Sequence, residues 1–258
     1  MASQTKVREM IAKNNAKKGG LSDKIVPIIL AIISAISILT TIAILFTLLT
    51  ETITFFTRVP LSKFFLSGTW NPTGSSPEFG IWALIIGTLK ITVIATIVAV
   101  PIGLGAAIYL NEYASDRSRR IIKPILEILA GIPTIVFGFF ALTFVTPILR
   151  NLIPNLGEFN SISPGIVVGI MIVPMITSMS EDAMSSVPDK IREGAFGLGA
   201  TKFEVATKVV LPAATSGVVA SIVLGISRAI GETMIVSLAA GSSPTSSLTL
   251  TSSIQTMT

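Results

Sequence analysis

An all-α bundle of transmembrane helices is the fold class this sequence predicts, and three observations predict it. Half of its 258 residues are hydrophobic and only 13% are charged, where ordinary soluble domains carry about 25%. The apolar residues fall into runs near the length of about 20 that a helix needs to cross the hydrocarbon core. The charged residues fall between those runs, and the basic ones favour every second connection, as the positive-inside rule requires. The formal net charge of +5 is thereby explained by orientation in a membrane, which removes the case for nucleic-acid binding.

Taken in order, the chain opens with a basic tail over 1–24 that carries Lys6, Arg8, Lys13, Lys17, Lys18 and Lys24. The first span is expected over Ile25–Thr50, closed by the polar run Glu51-Thr52-Ile53-Thr54. Its apolar stretch exceeds the roughly 7–15 residues of a signal-peptide core, so it reads as an uncleaved span. A loop over 51–80 follows. Further spans are expected over Ile81–Tyr109, Pro124–Leu149, Pro164–Met179 (longer if Ser180–Met184 continue the helix) and Pro212–Ala240. Together they make a core over 81–240, with a connecting loop over 185–211. Fourteen of the nineteen basic residues then lie on the N-terminal side of the membrane, which places that side in the cytoplasm. The tail over 241–258 is external, uncharged and rich in Ser and Thr. With neither a polar finish nor a basic anchor, it is expected to lead to a sixth span that this chain lacks.

The sequence contains no Cys and no His. Disulfides, thiolate and imidazole metal sites and Ser-His-Asp triads are therefore excluded. No Gly-Lys dipeptide occurs, so the chain holds no P-loop for nucleotide phosphates, and any ATP belongs to another chain.

The connection after the fourth span reads as helix, turn, helix. Pro188 suits a first helical position and Asp189 the positive end of the helix dipole. Gly197 and Gly199 can supply a left-handed cap. Thr201-Lys202-Phe203-Glu204 forms a capping box for a second helix, which presents Phe203, Ala206 and Val210 on one face and ends near Leu211-Pro212. Physical chemistry leaves two readings level: a hairpin packed on its own bundle, or a docking surface for a partner.

Arg228 and Glu232 lie four apart in the fifth span and are expected on one helix face. Ionisable groups at that depth face a bundle interior or a wet cavity. One reading is a structural ion pair. The other has Arg228 contacting an anion in transit, with Glu232 holding the guanidinium or accepting a hydrogen bond from a protonated solute such as phosphate. Lys90 can snorkel or reach a cavity, and Glu127 is expected in a structural role near the end of the third span. Pro101-Ile102-Gly103-Leu104-Gly105 and Gly131-Ile132-Pro133 are expected to kink or thin their helices. Gly165 and Gly169 point to close helix packing.

Glu193-Gly194-Ala195, then Gly199, then Val209-Val210-Leu211-Pro212 closely resembles the EAA loop of ABC importer permeases. Gly194 stands in place of the first Ala of that pattern and Val209 in place of Ile. Trp70-Asn71-Pro72, Phe79-Gly80, Gly87-Thr88-Leu89, Pro101-Ile102-Gly103, Ala107-Ile108-Tyr109-Leu110 and Arg228–Thr233 narrow the resemblance to phosphate-specific importers, PstC-type rather than PstA-type. The resemblance implies a type I importer permease (MetI-like) fold, usually of six spans. It implies a pathway for phosphate, or for a related oxyanion such as sulfate or molybdate, with Arg228 and Glu232 along it. Glu193, Gly194, Ala195, Gly199, Leu211 and Pro212 then couple the chain to an ATPase. The implied partners are a PstA-type permease, two copies of a cytoplasmic ATP-binding subunit and an external phosphate-binding protein. The chain binds no cofactor of its own.

Overall fold

A computed structural model describes every residue except 1–20, 73, 75 and 244–248, with the backbone alone over 21–24. The expected basic tail therefore lies outside the described residues, apart from the backbone of its last four. Two compact units divide at Leu61 and Ser62. Among its described residues the first contains one long helix, α1 (Leu21–Arg58). It is apolar on all sides and exposed along its length from Ile25 to Thr54, the pattern of a span whose solvent is lipid.

α1 continues two turns beyond the expected end at Thr50. Its threonines explain this: Thr47, Thr52 and Thr54 donate to the carbonyls four residues back, at 2.9, 2.7 and 2.9 Å. Hydroxyls satisfied within their own helix do not interrupt it. The helix stops two residues before Pro60, where a following ring disfavours the helical conformation.

The second unit begins with a short helix, α2 (Leu61–Leu66), and a two-residue antiparallel ladder of β1 (Trp70–Asn71) with β2 (Glu78–Phe79). Three long helices follow: α3 (Trp82–Tyr113), α5 (Thr134–Leu152) and α6 (Ile162–Ser185). α6 includes Ser180–Met184, so the short form of the fourth span is superseded. Between α3 and α5 lies α4 (Asp116–Gly131).

The expected third span, Pro124–Leu149, is not one helix. Gly131 ends α4, Ile132 is extended at φ −67° and ψ 128°, and α5 starts after Pro133. A residue before proline is pushed out of the helical region, and here the result is a break rather than a kink. Pro124 thus belongs to α4, a helix that buries no side chain completely.

α3 and α6 form the centre of the bundle. A Cβ added at Gly169 would lie 2.9 Å from the Ala95 carbonyl oxygen and 2.9 Å from Val98 Cβ, and one at Gly165 would lie 2.7 Å from Ile94 Cγ2. Further along, a Cβ at Gly103 would lie 2.9 Å from Ile176 Cγ2, and Thr177 Oγ1 donates to the Gly103 carbonyl at 3.1 Å. Glycines allow the two backbones to approach, which in lipid replaces hydrophobic drive as the source of association. The thinning expected around Pro101–Gly105 is thus found at Gly103, while the helix continues through Pro101.

Ile91, Ala95, Val168, Ile172 and Ile235 fill the interior. Ile254 joins them, fully buried, because residues 249–258 return along the bundle. Gly157 N donates to the Thr251 carbonyl at 2.9 Å, and Met257 N to Thr88 Oγ1 at 3.1 Å. The final segment therefore packs in the core and does not hang free as an external tail.

The expected fifth span, Pro212–Ala240, is broken twice. α8 (Lys202–Ala213) and α9 (Thr215–Ile230) meet at 76°. α9 then ends at Gly231, and α10 (Met234–Ala239) begins after Thr233. α8 carries Lys202, Glu204 and Lys208, and we place it outside the membrane.

Gly169→Leu is expected to destabilise the bundle by about 1–3 kcal/mol through overpacking against a backbone carbonyl that cannot rotate away. Thermal unfolding in detergent checks this. Gly105→Ala, with open space around the added methyl, serves as the tolerated control.

Candidate functional site

The connection between α6 and α9 folds as the helix–turn–helix its sequence predicts. α7 spans Asp189–Gly197, with Pro188 at the cap position just before it. At its end, Gly199 N donates to the Phe196 carbonyl at 2.9 Å and Ala200 N to the Ala195 carbonyl at 3.1 Å. This is a Schellman cap, and it requires the left-handed φ of +86° found at Gly199. Gly197 takes no part in the left-handed turn and is the last helical residue.

Thr201 caps the next helix at once. Thr201 N donates to Glu204 Oε2 at 3.1 Å, and Glu204 N donates to Thr201 Oγ1 at 3.3 Å. Lys208 Nζ sits 3.0 Å from Glu204 Oε1. The Thr201 backbone N–H, then the Lys208 ammonium, hold the Glu204 carboxyl below the ordinary 4.5, at about 2.

α8 contains a π turn over Val205–Val210, which shifts its faces. Val205, Ala206 and Val210 are buried, Val205 and Val210 in one seam with Met184, Val187 and Ala107, while Phe203 is 68% exposed. The sequence placed Phe203 on one face with Ala206 and Val210; across the π turn they separate, and only Ala206 and Val210 are buried. Leu198, 92% exposed, lines an open concavity of about 440 Å³ together with Ala195, Gly199, Glu204, Lys208 and Val209, among others. Glu193 is exposed and makes no ion pair among the described residues, and Gly194 has open space around it. Leu211 and Pro212 lie at the far end of α8, where Leu211 packs against the buried seam.

Arg228 and Glu232 do not share a helix face. Arg228 occupies the last turn of α9 and is exposed, with no hydrogen bond or ion pair among the described residues. Glu232 lies in the break and is 7% exposed. Its Oε1 accepts from Met234 N at 3.2 Å and from Ile235 N at 3.3 Å. The free N–H groups at the start of α10 attract the carboxylate, and this wins over an (i, i+4) pair on an unbroken helix. Lys90 is buried and does not snorkel: Nζ donates to the Thr249 carbonyl at 3.2 Å.

Sequence reasoning missed a second charged centre. Glu181, 1% exposed on α6, pairs with Arg119 at 2.9 Å and Lys123 at 2.6 Å, both on α4. A cavity of about 490 Å³ adjoins the pair and is also lined by Glu127 and Asp182. The signal was present: an acidic pair, Glu181-Asp182, ends the fourth span at the side that holds the basic loop. Arg192, counted earlier only as a topology charge, proves to be mostly buried and fully hydrogen-bonded. Among the described residues no acidic cluster gathers that could hold a metal ion.

Broken spans thus surround a close-packed helix pair, with a helix–turn–helix presented at one end. Residues 99–258 match the model of the family described as the binding-protein-dependent transport system inner membrane component, and the chain belongs to that family. It is 38% identical over 180 residues to the probable ABC transporter permease protein YqgH of Bacillus subtilis, a match covering 69% of this chain and 58% of that protein. It is 37% identical over 200 residues to the phosphate transport system permease protein PstC of Haemophilus influenzae, covering 70% and 63%. The chain thus spans about three fifths of the length of these curated relatives. Its fold is similar to that of a chain of the MetNI methionine ABC transporter in inward-facing conformations. There the TM-score is 0.50 at 21% identity, covering 58% of this chain and 71% of that one.

Two outcomes are expected at these caps. Glu204 is held low in the folded state, so its contribution is complete above pH 4.5 and is lost as pH falls from there toward about 2. The midpoint of thermal unfolding should therefore fall more steeply across that window in the wild type than in Glu204→Gln. Glu232→Ala should cost about 1 kcal/mol as a lost helix cap, with Glu232→Gln losing less because its amide oxygen still accepts; chemical denaturation reads both.

Proposed function

We propose that this chain is the permease subunit of an ATP-driven importer that carries inorganic phosphate inward across the cytoplasmic membrane. The observation that supports it most is the α7–α8 element. Its exposed apolar residues, Leu198 and Phe203, stand beside exposed charges, Glu193 and Lys202. That combination suits a protein partner better than lipid. Its opposite face is buried against the ends of α3 and α6. A partner seated in the concavity therefore pushes directly on the central helix pair.

In this reading the partner is a cytoplasmic ATP-binding subunit, present twice, and it binds and hydrolyses the ATP. This chain binds no cofactor and performs no catalysis. A second permease of PstA type completes the pathway, and an external phosphate-binding protein delivers the solute. The basic residues of the tail and of the connections around α4 and α7 put the N-terminus and the α7–α8 element in the cytoplasm. Phosphate as the solute rests on the likeness to a protein named for phosphate transport.

Discontinuous helices are where membrane transporters place solute sites. We assign Arg228, exposed at the end of a broken span and free of partners among the described residues, as the residue that meets the anion. Glu232 keeps the pathway in shape by holding the start of α10 and is no longer required to meet the solute.

Reconstitution of the complete transporter into proteoliposomes tests this. ATP-dependent uptake of phosphate ahead of sulfate and molybdate is expected. Preference for either of the others would reassign the solute, and ATP hydrolysis without any uptake would refute the permease role. Gly199→Val should leave insertion intact but separate hydrolysis from uptake, because a β-branched residue in the left-handed region costs about 1–2 kcal/mol and distorts the turn. Arg228→Gln should abolish most uptake, with Arg228→Lys retaining part of it.

A further inference from the structure

Arg192 lies one residue before Glu193, yet it faces the opposite way, toward the bundle. Its side chain is 14% exposed, and every guanidinium nitrogen is engaged. Nε donates to Glu112 Oε1 at 3.2 Å. Nη1 donates to the Val187 carbonyl at 2.6 Å and to Asp189 Oδ1 at 2.9 Å. Nη2 donates to the Met184 carbonyl at 2.7 Å and to Asn111 Oδ1 at 3.3 Å.

These acceptors come from three places. Asn111 and Glu112 belong to the π turn that ends α3. Met184 lies in the last turn of α6, and Val187 follows just after it. Asp189 starts α7 itself. The carbonyls at a helix end have no partner within the helix, and a guanidinium supplies charge-assisted hydrogen bonds to several at once. α7 has no completely buried side chain of its own, and nothing lies close to Gly194 or Gly197. Ala195 adds a partly buried apolar contact with the seam, and Arg192 supplies the side-chain hydrogen bonds that tie this helix to the ends of the spans.

We propose that Arg192 is the positioning residue that locks α7 to the ends of α3 and α6 together. A push on the α7–α8 element is then delivered to both central helices as one body instead of being absorbed at the Val187–Pro188 connection. The inference rests on the importer reading and adds to it the residue through which motion enters the bundle. An ordinary cap on α6 predicts a different outcome: removing it lowers the amount of assembled complex but leaves the work done per ATP unchanged.

The test uses the complete transporter in proteoliposomes, with phosphate uptake and ATP hydrolysis measured in the same vesicles. For Arg192→Ala, phosphate moved per ATP is expected to fall about tenfold while hydrolysis persists at or above the wild-type rate, a loss within the usual range of coupling between sites. Arg192→Lys should be intermediate, since an ammonium can keep the Glu112 pair but cannot reproduce the planar fork. An unchanged ratio in Arg192→Ala would overturn the proposal. If that variant fails to assemble, Glu112→Ala decides in its place: a reduced ratio supports the lock and an unchanged one removes it. Wild-type vesicles that hydrolyse ATP but move no phosphate would instead overturn the importer reading itself, and this inference with it.

Discussion

The close approach of α3 and α6 is the constraint on which the rest of the second unit depends. Gly165 and Gly169 bring the two backbones together at one level and Gly103 at another. Lipid offers no hydrophobic gain for helix pairing, so contact between small residues has to supply it. Once the pair is set, its ends become a platform. Asn111, Glu112, Met184 and Val187 lie there side by side, and α7 is hydrogen-bonded to them by the Arg192 guanidinium. The buried seam of α8 rests on the same platform through Val205 and Val210.

The breaks in the helices follow from the same solvent. Backbone groups freed inside a membrane must find partners in protein or in a polar cavity. At the start of α10, Glu232 supplies the acceptor. Near its other end, the carbonyl of Ala240 accepts from Ile254 N at 3.0 Å, in the segment that returns through the core. The α4–α5 break is held differently: α4 is fastened to α6 by Arg119 and Lys123 on Glu181. Arg119 and Lys123 turn inward on this helix, while Ile121, Ile125 and Ile128 are exposed, as are Arg117, Arg120 and Glu127.

Much of this was legible from residues, and what was not has physical causes. The α7–α8 turn could be read almost atom by atom, because caps are local: a left-handed glycine and a Thr/Glu pair determine their own hydrogen bonds. The α3–α6 contact was visible in the Gly165/Gly169 spacing. Hydropathy located the spans but not their interruptions. Leu, Ile and Val score alike on either side of Pro133 or Gly231, and the choice of Glu232 between Arg228 and the α10 amides depends on whether the helix breaks at all. A π turn leaves no mark in composition, so Phe203 was expected on the same face as Ala206 and Val210. Arg192 and Glu181 were invisible as sites because their partners come from helices distant in sequence.

The turn after α7 has no slack. Leu198 closes one helix, Gly199 takes the left-handed conformation, Ala200 makes the last hydrogen bond of the cap, and Thr201 begins the next helix. Each residue has one task, and no residue is left over. Losing or gaining a single position rotates everything downstream by about 100° around the α8 axis. Val205 and Val210 would then leave the seam. What the element can vary is therefore the choice of side chain, not the count: its length behaves as a fixed dimension of the machine, like the pitch of a gear.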